Sequence, residues 1–137
     1  MTDINKPLRI IYNTLLSTIG VDVFSNMAPD GQVGSYIIYR PVSGSMIPDF
    51  NKQTVRSQFE IKIYTEGEKY NSGDSLDNIA ANVYTNIYPK WKVTLLGGHL
   101  VIDTELVSDN TDNWTTKDVS VCMDRTIVFE HIIYLNI

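Results

Sequence analysis

The alternation of residues 55–64 constrains this chain most. Val55, Phe59, Ile61 and Ile63 fall at odd positions, and Arg56, Gln58, Glu60 and Lys62 fall at even ones. A period of two is what a half-buried antiparallel strand requires. Residues 66–73 are polar and punctuated by glycine. Leu76, Ile79, Ala80, Val83 and Ile87 then fall at the spacing that lines one side of a helix. Ser72 or Asp74 can cap that helix. Pro89 lacks the amide hydrogen a helix interior needs and biases Tyr88 away from helical angles, so it marks the stop. A sheet with one apolar face and a helix with one apolar stripe bury each other, and this pair predicts the core that the other elements join.

Upstream, Asn5 and Pro7 read as a helix start, because proline suits a first turn whose amide is unpaired anyway. Leu8, Ile11, Tyr12, Leu15, Leu16 and Ile19 continue it as one stripe, and Gly20 is expected to close it in the left-handed region. Residues 21–24 read as a short strand and 26–34 as a turn. Residues 35–40 (Ser-Tyr-Ile-Ile-Tyr-Arg) read as a central strand ended by Pro41. Residues 43–53 read as a long loop carrying Met46, Ile47 and Phe50. Loops of that length in a compact domain are usually functional or mobile.

Downstream, residues 91–96 and 99–107 read as two strands joined by Gly97-Gly98, a pair that supports a tight hairpin turn. Residues 108–117 read as a second polar excursion, with one large apolar residue, Trp114. Residues 119–135 are strand-like, and the second half is apolar on both faces, which places it inside the sheet or at an interface. The expected class is α+β: a single, mostly antiparallel sheet with two amphipathic helices packed on one face, in one domain spanning 1–137.

Composition narrows the function. A net charge of −5, from 16 acidic and 11 basic side chains, disfavours a protein whose task is to grip phosphates. An acidic wall would instead repel a duplex and let it slide past. The first apolar stretch is interrupted by polar residues, so neither a membrane span nor a signal peptide is expected. One cysteine, Cys122, excludes an intramolecular disulfide.

Reactive constellations are hard to find. Counted by strand parity, His99, Asp103 and Glu105 share a face and could form a metal or hydrolytic site, but plain sheet residues are the simpler reading. Cys122 has neither base nor electropositive neighbours in sequence. The pairs Asp103/Glu105 and Asp109/Asp112 lack a partner that would split their pKa values. Gly97-Gly98 opens no helix and is followed by no lysine, so it is no phosphate cradle. Ser43-Gly44-Ser45 and Ser72-Gly73-Asp74-Ser75 lack the strand-to-helix elbow of a serine hydrolase. No catalytic residue, metal or cofactor is expected.

The first helix, the Ser35-Tyr36-Ile37-Ile38 strand, the alternating strand at 55–64 and the helix containing Asp74-Ser75-Leu76, Ile79 and Ala80 together resemble a known family. It is the small tail terminator proteins of long-tailed bacteriophages, also called tail completion or tail-to-head joining proteins. The resemblance lies in element order and pattern over most of the chain. It departs at Ser35-Tyr36, where the family has Pro-Tyr, and in a longer 108–124 segment.

The resemblance implies a structural protein of the virion tail or neck, assembled in the host cytoplasm: a six-fold ring that caps the tail tube and meets the head connector. DNA would pass through without specific binding, and six copies would carry about −30. On that reading, Arg56, Gln58, Glu60 and Lys62 face a neighbouring subunit. Met46, Ile47, Phe50 and Trp114 would be anchors for the tube or connector. The rivals are another neck, head-completion or minor tail protein on the same scaffold, a small monomeric ligand-binding domain, and a hydrolase built on His99, Asp103 and Glu105.

Overall fold

The computed structural model describes residues 3–32, 34–42, 47–48, 53–68, 72–88, 93–115 and 120–136. In chain order they form α1 (Asn5–Leu16), β1 (Asp22–Ser25), β2 (Tyr36–Pro41), β3 (Ile47–Pro48), β4 (Thr54–Glu68), α2 (Ser72–Ile87), β5 (Leu100–Thr115) and β6 (Ser120–Tyr134). The strands make one six-stranded sheet in the order β1-β2-β4-β6-β5, with β3 also on β4. β1 and β2 run parallel, and the other pairings are antiparallel. The expected α+β class and its mostly antiparallel sheet are what form.

β4 is the spine. It pairs with β6 from Thr54↔Tyr134 to Glu68↔Ser120, and its other side takes β2 and β3. Val55, Ser57, Phe59, Ile61, Ile63 and Thr65 are all buried, so the alternation read from sequence has the right register. α2 packs on β4 and β6, and α1 packs on β1, β2 and α2. Leu76, Ile79, Ala80, Val83 and Ile87 are buried as one stripe. Burying a large aliphatic side chain is worth roughly 1.5–3 kcal/mol, so packing rather than capping fixes α2. The side chains of Ser72 and Asp74, and all of Pro89, lie outside the described residues.

Four expectations about elements need correction. α1 ends at Leu16, not at Gly20. The Ser17 N–H makes the last ladder bond, to the Asn13 carbonyl, which also accepts from Ser17 Oγ, and Thr18 Oγ1 donates to the Leu15 carbonyl; Gly20 sits in the left-handed region one turn later. Of the hairpin expected across 91–107, the turn is present, residues 91 and 92 lie outside the described residues, and the described part of the first strand makes the single bridge Thr94↔Leu100. Gly97 and Gly98 both have positive φ, 91° and 82°, as that turn needs. The polar stretch read as an excursion from 108 is strand as far as Thr115, because its ladder with β6 continues from Ser108↔Val128 to Thr115↔Val121. The long loop after Pro41 contains β3, with Ile47↔Arg56 and Pro48↔Val55.

β2, read as a central strand, lies between β1 and β4, while the middle of the sheet is β4. The last strand, β6, is interior between β4 and β5, which suits a run apolar on both faces.

Candidate functional site: the uncovered face and the outer edge

Because both helices cover one face of the sheet, the even-numbered side chains of β4 and β6 lie on the other face. Arg56, Gln58, Glu60 and Lys62 stand there in a row at every second residue, as expected. Much of their charge is matched within the chain. Arg56 Nη1 lies 3.2 Å from Glu130 Oε1, and Gln58 Nε2 donates to Glu130 Oε2 at 3.1 Å. Arg40 Nε donates to Glu60 Oε2 at 3.3 Å. Lys62 Nζ sits 5.7 Å from the centre of the Tyr64 ring, which stacks on Tyr36 at 4.7 Å. Such half-exposed ion pairs contribute at most about 1 kcal/mol each, so the row remains available for outside contacts. An open cleft of about 250 Å³ lies on this face, lined by Asn26, Met27, Ile38, Arg40, Glu60, Lys62 and Tyr64.

Of the four loop anchors expected from sequence, Met46 and Phe50 lie outside the described residues. Ile47 is in β3 and Trp114 in β5, and their side chains also lie outside the described residues.

β5 is an edge strand of 16 residues. Beyond the bridge at Leu100 it pairs with β6 alone among the described residues, and the helices reach it only through side chains, such as that of Tyr84. Ile102, Leu106 and Val107 are 41–49% exposed, next to two register shifts that bulge the strand. Residues 100–115 include Asp103, Glu105, Asp109 and Asp112 and no Lys or Arg. Asp109 is neutralised from the helix side: Arg125 grips it through Nε at 2.8 Å and Nη2 at 2.6 Å, and Tyr84 Oη donates to it at 2.6 Å. Arg125 also reaches Asp77 at 3.1 Å. The hydrogen bonds from Arg125 hold the Asp109 carboxyl below its usual pKa, and burial together with the Asp109 charge pushes Tyr84 up to about 12. This cluster, which ties β5 and β6 to α2, was not foreseen. Its bonded pairs are 16 to 48 residues apart in sequence, with no local pattern to announce them.

The reactive sites weighed from sequence come apart. A bulge at Ile102 puts Val101 opposite Ile133 on the helix face and Asp103 opposite Ile132 on the uncovered face. The parity count that joined His99 to Asp103 and Glu105 therefore fails. His99 is buried, and its Nδ1 accepts the Asn136 amide at 3.0 Å. Among the described residues no group of three His, Cys, Asp or Glu side chains is placed to hold a metal. His131 is buried under α1, with Nε2 against Tyr12 Oη and Nδ1 at 2.8 Å from Thr104 Oγ1. Burial lowers its pKa to about 4, so it is a neutral strut between helix and sheet. Cys122 is buried, and desolvation raises its thiol pKa, the opposite of what a nucleophile needs.

No protein-family model matches the chain, and no curated protein matches it significantly. Solved structures share its fold. A chain described as part of the virion of a native gene transfer agent particle aligns over 91% of this chain and 92% of its own, with 15% identity and a TM-score of 0.61. A second solved chain aligns over 96% and 97% at 15% identity, with a TM-score of 0.45, too low to bear on function.

Proposed function

We propose that this chain is a structural protein of a phage-type virion, and within that class a tail terminator. It would form a ring, six-fold as in the family it resembles, that caps the tail tube, contacts the head connector and lets DNA pass. The observation that carries this reading is the end-to-end likeness of fold to a chain of a gene transfer agent virion. Two features support assembly over chemistry. Among the described residues, one whole face of the sheet has no helix on it, and β5 beyond Leu100 has no strand on its outer edge.

The subunit contact would use the Arg56, Gln58, Glu60 and Lys62 row, and the tube or connector contact would use Met46, Ile47, Phe50 and Trp114. A neck or head-completion role on the same scaffold differs in partner and not in chemistry. The test is to mix the purified protein with isolated tail tubes and image the tube ends. A ring of extra density at one end, with native mass at a multiple of 15.5 kDa, is expected. A protein that stays monomeric and never joins a tube end would refute the reading.

A further inference from the structure

Resting on the ring reading above, we infer that the outer edge of β5 is where the next copy of this chain sits, and that the part of that copy which docks is the opposite, cation-bearing side of the sheet beside β1. A long edge strand with unpaired backbone groups and exposed apolar side chains is a template for another chain, unless something blunts it. Here, among the described residues, no strand covers the edge beyond Leu100, and Ile102, Leu106 and Val107 remain exposed.

Charge decides which surface fits. Asp103, Glu105 and Asp112 have no ion pair among the described residues, and Asp112 stands directly opposite Asp124. A twofold contact of β5 against β5 would set these carboxylates against their own copies, which is repulsive. The other end of the sheet offers the reverse sign. In its cleft Arg40 and Lys62 outnumber Glu60, and the Arg40 side chain stays 50% exposed despite its pair with Glu60. The cleft also presents Met27, 75% exposed, to meet the apolar residues of β5. Two different patches at opposite ends of one sheet make a head-to-tail contact, the kind that closes rings.

The test is charge reversal and restoration, read by sedimentation of the full chain over a range of concentrations, with a thermal melt of each variant to show that it folds. Asp103→Lys with Glu105→Lys, and separately Arg40→Glu with Lys62→Glu, should each raise the concentration needed for assembly at least tenfold. All four substitutions in one chain should restore assembly, because every contact regains opposite charges. For the wild type, raising salt from 50 to 500 mM should weaken assembly by a similar factor, which serves if a variant fails to fold. Assembly indifferent to the reversals and to salt overturns the inference and leaves the ring reading standing, whereas a product that stops at a dimer, in solution and on tubes, removes both. A wild type that never assembles, alone or on tubes, removes both.

Discussion

His131 has both ring nitrogens engaged, by Tyr12 and Thr104, and is 4% exposed. The folded chain therefore takes up its proton only near pH 4, whereas the unfolded chain does so near 6.5. Between those values the unfolded state binds more protons, so stability is complete above about pH 6.5 and falls by about 3 kcal/mol as pH drops to 4. Urea unfolding at a series of pH values should show this loss, and His131→Gln should flatten it; equal pH slopes for the two proteins would rule out the assignment. Beside it, Ser57 Oγ is buried with no partner among the described residues. An unsatisfied buried hydroxyl costs about 1–3 kcal/mol, so Ser57→Ala should leave stability unchanged or raise it by about 1 kcal/mol. A loss above that size in the same unfolding assay would mean that the hydroxyl has a partner in solution.

At the scale of elements, Arg125 is the pin that joins β5, β6 and α2. Arg125→Ala leaves the Asp109 carboxylate with Tyr84 but without its bidentate partner and frees Asp77, so a loss of about 2 kcal/mol is expected. Hydrogen exchange should speed up most in β5 beyond Leu106; uniform exchange across the sheet would contradict a local tie. On α2, Leu76→Ala should cost about 2–5 kcal/mol, because the side chain is fully buried against β4 and β6. A loss under about 1 kcal/mol in the denaturant midpoint would mean that the helix packs more loosely than described.

The elements readable from sequence were those with one wet and one dry side: β4 alternates and α2 has a stripe, so burial itself writes their pattern. β5 beyond Val107 was missed because its inner side is marked by no run of apolar residues: the position facing the helix there is Asp109, held by Arg125 and Tyr84. Its Ser-Asp-Asn-Thr run is held by the ladder to β6 and by Arg125. Parity counting around His99 failed for a related reason, since one extra residue at Ile102 changes the face of Asp103 to Leu106, until the second shift at Val107 restores it. The charged row on β4 was legible as a face. Its partners Arg40 and Glu130 were not, because they come from other strands.

At the scale of the whole molecule, acidity and asymmetry are linked. With a net charge of −5 per chain, closely packed copies gain negative potential along any shared bore, and a duplex inside it would be repelled rather than held. Assembled protein should therefore leave the gel mobility of linear duplex DNA unchanged at 150 mM salt, and a retarded band would count against passive passage.

The strand that β4 and β5 share, β6, is the last of the sheet to be synthesised. Until residues 120–134 have left the ribosome, the two strands that will flank β6 have nothing between them, and β5 has no strand to pair with. A chain that stops short of residue 120 would thus present two open borders in place of one, and in the cell it would be a substrate for chaperones and proteases before it could join an assembly.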